Sequence, residues 1–335
     1  MIDETLPQPL YKLNRRTTRL QAQAVLILLC ALILLTGCER EDHRHSADRS
    51  DPVEQPVSII AVAPDSAQSL EQLFTELDYS WENLDLGVPP LTLEKLPDDL
   101  HERQEKKRLF FMGLLPMVLM ANEEIASERA QLIDIQGHYQ TTGRLELEEQ
   151  LKLEDMAKQY RISSAPLDET SLLDRLLKRV DIIPPSMVLA QAANESAWGT
   201  SRFAREGNNL FGQWTFKPGT GIVPRNRPKG ARYEVRKFAS LYDSVRSYIN
   251  NLNTHEAYLD MRNIRMELRQ RGEQVSGRAL VKGLQRYSIR RDDYISEIDQ
   301  MIRYNRLGRF NSARLRSSSS FEQSADNRQS GYGLL

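Results

Sequence analysis

Apolar side chains recur every three or four positions along most of the chain, in segments separated by glycine, proline or polar turns. That spacing places the apolar side chains of a segment on one face of a helix. The pattern predicts helices over residues 69–77, 100–136, 142–160, 168–180, 187–198, 241–252, 257–270, 277–284 and 292–305. The sequence therefore predicts a mainly α-helical protein.

One stretch departs from the helical pattern. Residues 217–237 are rich in glycine, proline and basic side chains, and residues 231–238 alternate between polar and apolar. Alternation over a short run next to turn residues is typical of a β-strand. We expect a loop and a small β-hairpin flap here.

The N-terminus has the pattern of an export signal. A basic segment, residues 12–19, precedes an apolar run over residues 24–35, which is too short to span a bilayer as a helix. The run ends in Leu35-Thr36-Gly37-Cys38, which resembles a bacterial lipobox. Residues 1–37 are therefore predicted to be a lipoprotein signal peptide and Cys38 the lipidated first residue. An uncleaved anchor and an ordinary secretory signal are the alternatives.

The predicted lipid anchor indicates where the protein is located and where its mature part begins. Glu39 follows Cys38, and by resemblance to enterobacterial sorting the absence of Asp there favours the outer membrane, facing the periplasm. Residues 38–65 are polar and charged, as in a flexible tether. Residues 66–165 form a predicted helical N-terminal region, or arm, residues 166–310 the main domain, and residues 311–335 a disordered, serine-rich tail.

The distribution of charge is informative only when the segments of the chain are considered separately. The net charge is −1, but residues 202–316 carry 24 Lys and Arg against 11 Asp and Glu. A basic domain attached to an envelope membrane favours anionic polymers or lipid head groups as partners, and nucleic acid is not expected there. Cys30 lies inside the predicted signal, which leaves no internal disulfide. The sequence predicts no metal site and no cofactor.

The most informative residue is Glu195, near the end of the helix predicted over residues 187–198. Most of its neighbours are small or apolar, among them Ala192, Ala193 and Trp198. Burial of a carboxyl group raises its pKa, which is the property that a general acid in glycoside hydrolysis needs. Alternatively, Glu195 pairs with Arg202 or Arg205 and joins two helices.

Two motifs in this region resemble a known family. Residues 193–201 read Ala-Asn-Glu-Ser-Ala-Trp-Gly-Thr-Ser, residues 209–212 read Asn-Leu-Phe-Gly, and Leu284-Gln285-Arg286-Tyr287-Ser288 with Tyr294 follow later. Together they resemble the bacterial cell-wall β-N-acetylglucosaminidases of the flagellar-glucosaminidase type (glycoside hydrolase family 73), and especially the Bax-like proteins. The resemblance covers about residues 165–305 for the wider family and about 100–308 for the Bax-like group.

The resemblance implies a lysozyme-like α domain with a small β lobe, which cleaves peptidoglycan after N-acetylglucosamine. It places the family's catalytic acid at Glu195. The best positioned second acid is Glu234, in the predicted hairpin, which would activate water or stabilise the sugar cation. A solvated Glu234 on an exposed hairpin, with the substrate's own acetamido group assisting, remains an alternative.

Four aromatic residues are candidates for contact with the glycan substrate. Tyr287 matches a family tyrosine that lines the cleft near the acid. Phe211 and Trp214 are candidate stacking platforms for the apolar faces of sugars, and Trp198 lies close to the acid in sequence. For Tyr287 and Phe211 the alternative is a place in the hydrophobic core.

Two other functions stay open at this stage. A lytic transglycosylase or muramidase also uses a glutamate before a serine on a lysozyme-like helix, but Asn209 to Gln213 replaces its usual Gly-Leu-Met-Gln-type segment, which favours the glucosaminidase. The other alternative is a peptidoglycan-binding lipoprotein without catalytic activity.

Overall fold

The computed structural model describes residues 59–102, 105–163, 168–288 and 290–316. The predicted signal peptide, the lipidation site Cys38 and most of the predicted tether lie outside the described residues. So do residues 317–335 of the predicted tail.

The described residues form helices for most of their length, which confirms the mainly α prediction. The helices are α1 (Ala67–Glu76), α2 (Lys106–Thr142), α3 (Leu147–Gln159), α4 (Glu169–Arg179), α5 (Pro185–Glu195), α6 (Arg202–Gly207), α7 (Leu241–Thr254), α8 (Leu259–Gln270), α9 (Gly277–Val281) and α10 (Asp292–Tyr304). Short 3₁₀ turns cover Asp98–Glu102, Glu256–Tyr258 and Leu307–Ser312. The strands are β1 (Ile60–Val62), β2 (Leu91–Leu93), β3 (Trp214–Thr215), β4 (Gly221–Ile222) and β5 (Glu234–Arg236).

Helix α2 runs through the centre of the protein. It is long and apolar enough to cross a membrane, but 78% of its most apolar window is buried inside the protein. Every side chain from Leu109 to Asn122 is buried, because this half of the helix is apolar on all sides and packs against α5 and α7. Helix α2 is therefore a core helix, and Gly143 ends it in the left-handed conformation at φ 71°.

The predicted arm is not a separate unit. The first half of α2 shares the main hydrophobic core with α5, α7 and α10, whereas its second half packs with α3 and α4 around a smaller cluster. That smaller cluster includes Leu132, Leu153 and Leu176. The predicted boundary between residues 165 and 166 is therefore not a boundary between two cores. Helix α4 follows this boundary in the sequence, yet it packs against α2 and α3, which precede it.

A buried ion cluster joins the two groups of helices. The carboxylate of Asp181 lies 2.9 Å from the guanidinium of Arg269, 3.7 Å from that of Arg265 and 3.8 Å from that of Arg129. Burial alone would raise the pKa of Asp181, but the three arginines outweigh it and hold that pKa below its usual range. Arg265 is itself buried, and it also donates to the carbonyl of Lys178 near the end of α4.

The predicted β lobe is present as a small antiparallel sheet in the order β3-β5-β4. A second, parallel pair joins β1 to β2, with Ile60 opposite Leu91. Strand β1 lies in the last part of the segment predicted to be a tether, so that prediction is wrong for Ile60–Val62. Strand formation there depends on a partner some thirty residues away, which local composition does not reveal.

The C-terminal end of the described chain packs against its beginning. Leu315 forms a bridge with Val88, and the buried Arg316 donates to the carbonyls of Gly87 and Asp78 at 3.1 and 2.7 Å. Residues 311–316 are thus part of the fold, and the prediction that disorder begins at residue 311 is wrong.

Candidate active site

Helix α5 ends at Glu195, three residues earlier than the apolar pattern predicts. Ala197, Trp198 and Gly199 all have positive φ angles, of 50°, 61° and 79°. The Ser196 hydroxyl stabilises this turn: it donates to the carbonyl of Ala192 at 2.6 Å and accepts from the amide of Gly199 at 2.7 Å. Two consecutive left-handed residues other than glycine are uncommon, and such strain is frequent at functional sites.

After the turn, Trp198 packs against the first half of α2. The indole ring packs edge-to-face on Phe111, at 5.1 Å between ring centroids, and the ammonium of Lys107 lies 4.9 Å from the ring. Trp198 lies beyond the end of α5 and so shares no helical face with Glu195. Gln191, one helical turn before Glu195, lies on the same side of α5 as the acid and is linked to it through Tyr294.

Glu195 is the end of a directed chain of hydrogen bonds. The Tyr294 hydroxyl donates to Glu195 Oε1 at 2.8 Å and accepts from Gln191 Nε2 at 2.8 Å. The Tyr248 hydroxyl in turn donates to Gln191 Oε1. Each group in the chain donates to the next, so Gln191, Tyr248 and Tyr294 fix the position of the carboxyl group.

Burial controls the protonation of Glu195. Removal from water raises the pKa of its carboxyl group above the usual value, and this effect exceeds the opposing hydrogen bonds from Tyr294 and Asn194. The positive charge of Arg290 also lowers that pKa, whereas the charge of Glu297 raises it. A carboxyl group of this kind keeps its proton at a higher pH than a solvated one and is suited to act as a general acid.

The alternative role for Glu195, as a tie between helices, is not observed. Arg202 lies 3.6 Å from the carboxylate of Glu206 and donates to the carbonyl of Val223. Among the described residues, no ion pair joins Glu195 to Arg202 or Arg205.

We expect the Tyr294→Phe variant to shift the pH dependence of catalysis. A general acid must be protonated, so the rate falls as pH rises through its pKa. The Tyr294 hydroxyl favours the ionised form, and its loss raises the pKa of Glu195 further. The alkaline limb of the profile of kcat against pH should therefore move to higher pH by about 1 to 2 units. This shift corresponds to the free energy of one hydrogen bond to a charged group.

The matched control is Tyr233→Phe, which removes a hydroxyl elsewhere and leaves the ring of Tyr233 in place. The rate of fragment release from peptidoglycan, followed across pH, checks both variants. An unchanged profile for Tyr294→Phe would show that this hydrogen bond does not tune the acid.

Tyr287 lies close to the acid, as its family match implies. Its ring stacks on that of Tyr294 at 5.0 Å with an interplanar angle of 13°, and its hydroxyl donates to the carbonyl of Phe211 at 3.4 Å. Burial raises the pKa of Tyr287, and the negative charge of Glu195 adds to the shift. The side chain is half-buried, so part of it stays accessible to a substrate.

The other two predicted platforms have opposite surroundings. The ring of Phe211 is 4% exposed and stacks on Tyr248 at 3.8 Å, which places it in the core rather than on the surface. Trp214 is 57% exposed and stacks on Tyr233 at 4.5 Å, with the two rings 9° from parallel. Of the two residues, only Trp214 presents an aromatic face to solvent.

Glu234 is buried in the β lobe and is not the solvated hairpin residue of the alternative prediction. Its carboxylate accepts hydrogen bonds from the backbone amides of Gly219, at 3.1 Å, and Gly221, at 2.9 Å. Gly221 is required for this approach, since a Cβ there would lie 2.4 Å from the carbonyl oxygen of Val235. The contacts support an anchoring role for Glu234 in the hairpin, and its predicted role as a base stays a prediction.

We expect Glu234→Gln to lower kcat less than tenfold, because the amide oxygen still accepts one of the backbone hydrogen bonds. Glu234→Ala should lose more, since it leaves two amides without a partner. Initial rates on purified peptidoglycan, with thermal unfolding of both variants, check this order. A general base contributes about 10²- to 10⁴-fold, so a loss of that size in Glu234→Gln with an intact fold would assign the base to Glu234 instead.

The described residues contain no group of three or more His, Cys, Asp or Glu side chains that is suited to hold a metal ion. What this site has instead is a carboxyl group with a raised pKa, held in position by Tyr294 at the end of a core helix.

A partly buried acid at the end of a core helix, in a protein that also has a small β lobe, is the arrangement of a lysozyme-like glycosidase. Comparison with known proteins agrees with this class. A family model described as mannosyl-glycoprotein endo-beta-N-acetylglucosaminidase matches residues 171–307. Protein bax from Escherichia coli (strain K12) is 36% identical over 200 residues, which cover 60% of this chain and 70% of that protein. The chain therefore belongs to the Bax-like proteins of the glucosaminidase family. No solved structure matches it.

The family domain supports a glycosidase that acts on the glycan strands of peptidoglycan. Tyr248, which holds the acid through Gln191 and Tyr294, is a functional residue that the sequence did not single out. Gln191 is indicated by its position one helical turn before Glu195.

Proposed function

We propose that the protein is a peptidoglycan hydrolase that cleaves the glycosidic bond after N-acetylglucosamine, with Glu195 as the general acid. The Glu195 carboxyl group gives its proton to the glycosidic oxygen as the bond from the anomeric carbon to that oxygen breaks. Water then adds to the anomeric carbon, assisted by the substrate's acetamido group or by Glu234, and the proton that the water loses passes to Glu234 or back to the Glu195 carboxylate.

One observation carries the proposal: the carboxyl group of Glu195 is partly withdrawn from water and held by Tyr294 at 2.8 Å. Burial keeps the proton on the acid, and the chain through Gln191 and Tyr248 keeps it in place. Tyr287 beside the acid and the exposed ring of Trp214 on the β lobe supply surfaces for sugar rings.

Digestion of purified sacculi with product analysis tests the proposed bond. Mass spectrometry of the soluble fragments should show reducing N-acetylglucosamine ends. Reducing N-acetylmuramic acid ends would mean that the other glycosidic bond is cut.

A lytic transglycosylase is the second candidate, and the position of Glu234 favours it. Such an enzyme needs one acid that later acts as a base, and the Glu234 carboxylate is already engaged by Gly219 and Gly221. Its products carry anhydro-muramic ends, so the same spectra distinguish the two reactions. Binding to sacculi without release of fragments would instead support a protein that binds peptidoglycan without cleaving it.

We also propose that the protein is a lipoprotein of the bacterial envelope, anchored through Cys38 and facing the periplasm from the outer membrane. The basic segment, the short apolar run and the lipobox-like Leu35-Thr36-Gly37-Cys38 support this address. Mass spectrometry of the N-terminal peptide from the membrane fraction should find a lipidated Cys38 as the first residue. An unmodified cysteine would contradict the anchor.

A further inference from the structure

A cleft of about 660 Å³ lies between the start of α2 and the end of α10. This volume is in the range of ligand-binding pockets. Its walls combine aromatic, apolar and charged side chains. They include Lys107, Trp198, Glu297, Met301, Arg303 and Tyr304.

Two aromatic rings hold the ammonium group of Lys107 at the mouth of this cleft. Lys107 Nζ lies 4.9 Å from the ring centroid of Trp198 and 5.7 Å from that of Tyr304. Such cation–π contacts fix the position of an ammonium group and leave its N–H donors available to a ligand. Tyr304 is 82% exposed, so one face of this arrangement is open to solvent.

The other charges of the cleft are already paired. Glu297 lies 2.7 Å from the guanidinium of Arg290, and Arg303 lies 3.0 Å from the carboxylate of Asp299. Within the described part of the chain, Lys107 forms no ion pair. Its positive charge is therefore the one that an incoming anion would meet.

The cleft lies within one helical turn of Tyr294, the residue that holds the acid. Trp198 belongs to the turn that follows Glu195, and Glu297 is close enough for its charge to raise the pKa of Glu195. Glu297 also lies one helical turn after Tyr294 on α10. A polymer with one unit at Glu195 would reach this cleft with a neighbouring part.

We propose that this cleft binds the stem peptide of the substrate, with Lys107 contacting a peptide carboxylate and Tyr304 and Trp198 packing against the peptide. This inference rests on the proposed function, since it assigns a second part of the same substrate to a second part of the same site. Stem peptides of peptidoglycan carry free carboxylates beside aliphatic groups, which matches one free cation between two aromatic rings. Lys107 lies outside the family-matched residues 171–307, so the cleft is completed by the additional N-terminal region.

The experiment compares soluble, uncross-linked glycan strands that carry intact stem peptides with the same strands after an amidase has removed the peptides. We expect Lys107→Met, which keeps the aliphatic length and removes the charge, to raise KM on intact strands about tenfold and to leave kcat unchanged. Tyr304→Ala should have an effect in the same direction. On stripped strands both variants should match the wild type. Lys282→Met, at an exposed lysine that does not line the cleft, is the matched control.

Equal effects of Lys107→Met on intact and stripped strands, or no effect on either, would overturn the peptide assignment. A binding measurement distinguishes failure of the peptide assignment from failure of the proposed hydrolase activity. The affinity of Glu195→Gln for the intact and the stripped strands is measured with and without the added Lys107→Met substitution, and this measurement needs no hydrolysis. A loss of affinity confined to the intact strands supports the inference. Unchanged thermal unfolding of each variant confirms that the fold is intact.

Discussion

Glu195→Gln is expected to lower the rate of peptidoglycan cleavage by about 10²- to 10⁴-fold, the usual contribution of a general acid. This corresponds to about 3 to 5 kcal/mol of lost transition-state stabilisation. Glutamine has nearly the same shape, and its carbonyl oxygen still accepts the hydrogen bond from Tyr294. It has no proton to give to the leaving oxygen, so the loss should appear in kcat.

The same substitution should not weaken the fold. The raised pKa of Glu195 means that its contribution to stability is present at low pH and is lost as pH rises through that pKa. At a pH above that pKa, the wild type carries a partly buried negative charge that the variant lacks. At neutral pH the variant should therefore unfold at the same temperature as the wild type or higher.

Fragment release in a peptidoglycan zymogram, with thermal unfolding of the same preparations, checks both expectations. The control is Glu206→Gln, at a glutamate that pairs with Arg202 on α6 and should leave cleavage within about twofold. Full activity of Glu195→Gln would remove Glu195 from the mechanism.

Asp181→Asn is expected to lower the free energy of unfolding by about 3 to 5 kcal/mol. Its carboxylate balances the charge of Arg265, which is 1% exposed, together with those of Arg129 and Arg269. Removing the carboxylate leaves the guanidinium of Arg265 buried without a counter-charge. Arg265 keeps its bonds to backbone carbonyls, so its side chain stays inside and the cost is not relieved.

Urea unfolding at neutral pH and at acid pH checks this prediction. The lowered pKa of Asp181 gives stability that is present above the unfolded pKa and is lost as pH falls through the lowered one. The difference between wild type and Asp181→Asn should therefore shrink in acid. Glu148→Gln, at an exposed pair with Lys152, should change the free energy by less than about 1 kcal/mol. A loss below that size in Asp181→Asn would mean that the cluster adds nothing to stability.

The sequence predicts most of the helices well because they carry their own periodic pattern, whereas the first half of α2 is apolar on all sides and is indicated by the length of its apolar run. The same reasoning places Glu195 at the end of a helix with apolar surroundings, and the structure agrees. The helical pattern fails two and three residues after Glu195, where Ala197 and Trp198 adopt left-handed conformations that their side chains do not favour. Tertiary contacts determine that turn, among them the packing of Trp198 on Phe111.

Long-range contacts account for the rest of what the sequence could not reveal. Strand β1 exists because Leu91–Leu93 is beside it, and Asp181 is tolerated inside the protein because arginines from α2 and α8 meet it there. In the sequence, Glu234 is one of several charged residues on a predicted hairpin. Its burial depends on the backbone amides of Gly219 and Gly221, which donate hydrogen bonds to its carboxylate. In each case the partner is identified by the fold and not by spacing along the chain.

The contact between the two ends of the described chain also sets the order of events in folding. Val88 pairs with Leu315, and Arg316 covers carbonyls that precede it by more than two hundred residues. Contacts of such high sequence separation form late, because a long loop must close before they stabilise anything. A chain synthesised from its N-terminus cannot make them until residue 316 has left the ribosome. The segment around Val88 and the carbonyls of Asp78 and Gly87 therefore stay without these partners while more than two hundred further residues are synthesised.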